Sequence, residues 1–120
     1  MKIVISAQGP DLEALVDPRF GRAPYFLMVD IESMEYEVLT NGQNLQAAQG
    51  AGIQAAALVA RHRPAAVLTG NCGPKAFETL QAAGIPVIVG VEGSVREAVQ
   101  NYRAGKLKPA PGPNVTGHWR

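Results

Sequence analysis

The sequence predicts an α/β domain built on one five-stranded mixed sheet, an antiparallel meander followed by two strand–helix units, with helices on the sheet's faces. Three observations predict it. Short runs rich in β-branched and aromatic residues stand at 2–6, 25–31, 36–41, 65–70 and 85–90. No helical period separates the first three runs. Helical segments follow the third, fourth and fifth, and strands that alternate with helices run parallel.

The elements follow in order. "KIVIS", residues 2–6, is a β-branched run that reads as a buried strand. Residues 9–24, "GPDLEALVDPRFGRAP", hold three prolines and two glycines and form a long ordered loop, a length that usually accompanies function. "YFLMVDI" and "YEVLTN" are joined by the short polar link "ESME" and make a hairpin. A helix is predicted over 44–62, where Leu45, Ala48, Gly52, Ala56 and Val59 share one small-sided face, and Pro64 ends it. "AAVLTG" is the next strand. Pro74 then suits the first position of a helix running to about Ala83, with Gly84 at its C-terminal cap. "IPVIVG" is the fifth strand. Ser94 and Glu97 form a capping box that opens a last helix ending near Gly105. The domain is expected to span 1–108. Residues 109–120, with Pro109, Pro111 and Pro113 and no apolar period, are expected to form a flexible tail.

Composition narrows the function classes. A length of 120 residues fits one domain, and 47% hydrophobic residues supply a core. A net charge of +1 leaves no electrostatic footprint for nucleic acid or an acidic membrane. No apolar run approaches the roughly 20 residues of a membrane span. The N-terminus lacks a signal-peptide pattern, so a cytoplasmic protein is expected. One cysteine excludes an intramolecular disulfide framework, in keeping with a reducing compartment.

Most enzyme signatures are missing. Neither GxGxxG after the first strand nor GxxxxGK[ST] occurs, and GxSxG is absent. "GAG" at 50–52 falls inside the predicted helix and reads as a packing feature. Ribonuclease H-like nucleases use a similar order of elements but need strand carboxylates to hold two metal ions. Neither "KIVIS" nor "AAVLTG" carries one. With no acid/base pair or activated nucleophile to assemble, a non-enzymatic role is expected.

Two segments carry candidate chemistry. In "TGNCGPKAF", Cys72 stands between a strand end and a helix start, where parallel α/β sheets bind ligands and where a helix N-terminus favours thiolate. Gly70 and Gly73 would let a bulky anion approach the backbone. The other reading is an inert turn cysteine. In "DPRFGRAPYF", Arg19 and Arg22 flank Phe20 and Gly21. Either the arginines bind an anionic ligand through their N–H forks, or Phe20 anchors the loop while they are solvated or pair with Asp17. His62, beside Arg61 and Arg63, suits a helix C-terminus, and His118 lies in the tail beside Trp119. No CxxC or HxxxH spacing occurs, which argues against a tight zinc site.

The segments "DPRFGRAPYFLMVD", "QGAGIQAAALVA", "AAVLTGNCGPKAFETLQAAGIPV" and "VREAVQNYRAGKL" resemble, in the same order, the dinitrogenase iron–molybdenum cofactor biosynthesis family, which includes NifX, NafY and the C-terminal part of NifB. The resemblance covers nearly all of residues 1–108. It implies a ribonuclease H-like fold without nuclease activity and a part in carrying iron–sulfur or molybdenum-containing clusters during cofactor assembly. It points to Phe20, Gly21 and Arg22 and to the turn of Gly70, Asn71, Cys72, Gly73 and Pro74. Several family members have a histidine where this chain has Gln49. The expected role is therefore non-catalytic: transient binding of such a cluster, with Cys72 as soft ligand, Arg19 and Arg22 offsetting negative charge, and donor and acceptor proteins as partners. The alternatives are a metal-free interaction or regulatory module and a small-anion binder on the same fold.

Overall fold

Each residue of "KIVISA" except Lys2 is buried, which an amphipathic edge strand would not allow, and this run is the centre of the sheet. In the computed structural model, which describes residues 1–42 and 50–114, strand β1 spans Lys2–Ala7. It pairs antiparallel with β2, Tyr25–Asp30, which pairs antiparallel with β3, Tyr36–Thr40. On its other side β1 pairs parallel with β4, Val67–Leu68, and β4 pairs parallel with β5, Val87–Ile88. The order across the sheet is β3-β2-β1-β4-β5. The predicted five-stranded mixed sheet is thus the one observed.

The period of two along β1 decides which layer each residue feeds. Val4 joins Phe26, Val67 and Val87 under helices α1, Ala51–Ala60, and α2, Pro74–Ala82. Ile3 and Ile5 join Leu27, Val29, Leu68 and Ile88 on the opposite face, under α3, Val95–Arg103, and the loop residues Leu12 and Val16. The layers are helix, sheet, helix.

The helix starts follow the sequence. Pro74 occupies the first position of α2, and Gly84, at φ 77°, follows its end. Ser94 accepts from the Glu97 N–H while Glu97 accepts from the Ser94 N–H, completing the capping box of α3. The ladders of β4 and β5 are shorter than the β-branched runs that predict them. The flanking residues still bond across the sheet, with Ala65 N–H donating to Lys2 and Val91 N–H to Thr69, but outside regular register. The helix predicted over 44–62 is shorter: α1 starts at Ala51 and ends at Ala60, because Gly50, at φ 77°, is its left-handed N-cap, while Leu45, Ala48 and Gln49 lie outside the described residues. Among the described residues, no helix is long and apolar enough to cross a membrane.

The tail begins differently from the sequence expectation. Ala110 N–H donates to the Val87 carbonyl at 2.7 Å, and Asn114 bonds to the turn at 70–72. A chain of prolines needs no period to dock, because side-chain amides and the remaining N–H groups supply the contacts. His118 and Trp119 lie outside the described residues.

Candidate functional site

The loop 8–24 crosses the carboxyl end of the sheet and is tied there at each step. Asp17 N–H donates to the Ser6 carbonyl, and Ser6 Oγ returns a bond to the Asp17 carbonyl at 2.8 Å. Ser6 Oγ also lies 2.7 Å from Thr69 Oγ1, so the ends of β1 and β4 are joined beneath the loop. The buried Asp17 carboxylate accepts the Arg19 N–H at 2.8 Å. Arg19 and Asn71 then form a parallel bridge, in which Phe20 N–H donates to the Asn71 carbonyl and Asn71 Nδ2 donates to the Pro18 carbonyl. The two segments singled out by sequence are therefore one surface.

A 3-10 turn, Phe20–Arg22, follows. Phe20 is buried, with its ring centroid 5.1 Å from that of Phe26, so the anchoring reading of Phe20 holds. Asn41, buried at the end of the hairpin, donates through Nδ2 to the Ala23 carbonyl at 2.8 Å and to Gly21 at 3.3 Å. Arg19 is exposed and makes no ion pair among the described residues, which answers the question of an Asp17 partner for its guanidinium. Arg22 is half-exposed.

Gly21 is where the turn meets the helices. A Cβ there would lie 2.9 Å from the Cα of Gly52 in the first turn of α1. Gly52 in turn packs on Ala76 in the first turn of α2, at 3.3 Å from a built Cβ. Only glycine permits this approach, so the second glycine of "GAG", Gly52, is a packing feature that gathers the 3-10 turn and the N-termini of α1 and α2, whereas Gly50 stands outside the helix as its left-handed cap. The first N–H groups of a helix have no partner within it and carry partial positive charge.

Cys72 corrects the sequence reading. It does lie between β4 and the first turn of α2, as expected, but its side chain points into the core and only 1% of the residue is exposed. Burial pushes the thiol up to about 12, which favours the inert turn cysteine over the activated thiolate, the two readings the sequence left open. A helix N-terminus favours thiolate and burial opposes it, and here desolvation wins. Sγ donates to the Gly73 carbonyl at 3.8 Å, an acceptor that suits S–H and repels S⁻. As placed, Cys72 is no metal ligand. Among the described residues, no group of three His, Cys, Asp or Glu is arranged to hold a metal ion.

Sequence reasoning missed Asn114. Its side-chain Oδ1 accepts the Cys72 N–H at 2.8 Å, its Nδ2 donates to Asn71 Oδ1 at 3.0 Å and to the Gly70 carbonyl at 3.2 Å, and its own N–H donates to the Cys72 carbonyl at 3.2 Å. No sequence signal marks an asparagine in a Pro-Gly-Pro-Asn run as a clasp. Asn41 carried no signal either.

A family model described as "Dinitrogenase iron-molybdenum cofactor" matches residues 1–105. The chain belongs to that family. The dinitrogenase cofactor family fold recurs in the apo form of the orange protein from Desulfovibrio gigas, with 47% identity over 95% of this chain and 96% of that one and a TM-score of 0.92. A Thermotoga protein provisionally assigned to NifB is 34% identical over 90% of this chain and 91% of its own, with a TM-score of 0.76. An uncharacterized protein of Methanocaldococcus jannaschii is 31% identical over 78% of this chain and 80% of its own length.

Proposed function

We propose that the protein is a non-catalytic binder or carrier of an anionic metal–sulfur species, iron–sulfur or molybdenum-containing, in cofactor assembly. One observation carries this reading. The 3-10 turn and the N-termini of α1 and α2 converge at Gly21, Gly52 and Ala76, beside Arg19 and Arg22. Convergent N–H groups with guanidinium forks suit a large anion. They do not suit a bare cation, and the one thiol is buried and protonated. The cargo that fits is one that brings its own sulfide ligands and is held by charge and hydrogen bonds. Weak, ligand-free holding also suits a carrier that releases to an acceptor protein. The family supports a cofactor-assembly setting. So does a 47% identical relative named for its colour and solved as an apo form, since colour in a protein commonly comes from a bound chromophore. We read the sheet, with its antiparallel half and parallel half, as ribonuclease H-like without the nuclease carboxylates, Ser6 and Thr69 standing at the ends of β1 and β4.

The burial of Cys72 also favours a second reading, a small oxyanion bound by the same donors. Anaerobic incubation with either a preformed iron–sulfur cluster or molybdate, followed by gel filtration, metal analysis and an absorption spectrum, separates the two. Cluster retention is expected, weakened by Arg19→Ala and by salt, which screens exposed charge over about 8–10 Å. Cys72→Ser is expected to retain it. Molybdate retained without cluster makes the protein an oxyanion binder. A colourless, metal-free protein from both incubations leaves the metal-free interaction module.

A further inference from the structure

The Gly70–Gly73 turn is held from outside the domain by one residue, three times through its side chain and once through its backbone N–H. Asn114 engages the turn four times: both backbone groups of Cys72, the Gly70 carbonyl and the Asn71 side chain. Between Asn114 and the domain runs a segment of five residues, anchored at its start by the Ala110 N–H on Val87 of β5. Ala110 itself packs against the core cluster that contains Cys72. Pro109, Pro111 and Pro113 stiffen this segment, so it is already extended before it docks and little backbone entropy opposes docking. Yet Asn114 is exposed, so water competes for each of its bonds. The segment thus has the two properties of a reversible strap: a defined closed position and an opening that leaves the core intact.

We propose that residues 110–114 are a displaceable strap that gates the Gly70–Gly73 turn and, with it, solvent access to the Cys72 side chain. Opening removes the Asn114 oxygen from the Cys72 N–H and adds that donor to those at the start of α2. It also removes Ala110 from the surface of the core cluster to which Cys72 belongs. The strap stands as a gate whether or not a cluster binds, because its readout is the thiol alone.

The test is the rate at which N-ethylmaleimide labels Cys72, measured on full-length protein over a series of sub-denaturing urea concentrations. Wild type is expected to label slowly, with a shallow urea dependence, the mark of local opening and not of global unfolding. Asn114→Ala removes three of the clasp's four bonds, leaving the backbone N–H on the Cys72 carbonyl, and Ala110→Pro removes the donor to Val87 at the other end of the strap. Each is expected to label about tenfold faster or more, the factor that one or two net hydrogen bonds give an opening equilibrium, with far-UV circular dichroism unchanged. Folded variants that label no faster than wild type overturn the gate. So does a wild-type urea dependence as steep as that of global unfolding, a result that decides the matter even where a variant fails to fold.

Discussion

At Cys72 two influences oppose each other, and the fold shows which is stronger. The sequence places the residue at a helix start, which favours thiolate, but not the direction of its side chain, which joins the buried cluster that also holds Phe20, Ala76 and Phe77. A measurable consequence follows from the thiol's rise from 9.0 to about 12 on burial. The folded state holds the proton more tightly than the unfolded chain does. The stability this contributes is therefore intact below about pH 9 and fades as pH climbs toward 12. Urea midpoints taken from pH 8 upward are expected to fall more steeply for wild type than for Cys72→Ala, and parallel curves would remove the buried thiol as a cause. Gly70 makes the second residue-scale case. A Cβ there would sit 2.7 Å from the Cα of Pro18 and 3.0 Å from its carbonyl oxygen, both backbone atoms. Gly70→Ala is expected to cost about 1–3 kcal/mol through overpacking, read as a lower urea midpoint at unchanged slope. The glycine was visible in the sequence as a means for a ligand to approach; what approaches is the protein's own loop.

Local chemistry was legible wherever an element's boundary is set by its own residues. Pro74 at the start of α2 is such a case, because it has no N–H to satisfy and its φ suits a helix, and so is the Ser94–Glu97 box at the start of α3, whose partners lie three residues apart. The cap of α3 also has a tertiary task, since the Val95 N–H donates to Ala14 and the Arg96 N–H to Leu12, fastening the loop to the helix start. Ser94→Ala is expected to destabilise the protein by about 1 kcal/mol, the usual worth of an N-cap hydroxyl. Hydrogen exchange at the Glu97 amide, which Ser94 Oγ accepts at 3.1 Å, should speed up more than exchange in α2. Equal changes in both helices would mean the cap acts only through global stability. Strand lengths were less legible. The run at 65–70 is buried nearly throughout and the run at 85–90 at Ile85, Val87 and Ile88, but hydrophobic pattern reports burial and not register, and only Val67–Leu68 and Val87–Ile88 pair in a regular ladder.

On the scale of the whole molecule, the meeting of two segments about 50 residues apart is what makes a site, and no local pattern encodes it. Phe20–Arg22 and Gly70–Gly73 were each recognisable, whereas their bridging through Arg19 and Asn71 depends on β4 lying beside β1. The tail extends this argument, because its apparent lack of structure in sequence came from judging it by apolar period. Ending the chain at Lys108 would remove the Ala110 bond to Val87 and the four contacts of Asn114. Exposed hydrogen bonds each contribute at most about 1 kcal/mol net, and the ordering of the tail opposes them, so a net loss of about 1–2 kcal/mol is expected. For a chain of this size that lowers the melting temperature by about 3–10 °C. The loss should be larger than that of Asn114→Ala, since Ala110 also covers part of the core cluster that contains Cys72. Calorimetry on wild type, Asn114→Ala and the shortened chain orders the three. A shortened chain that melts with wild type would return residues 109–114 to the loose tail that the prolines first suggest.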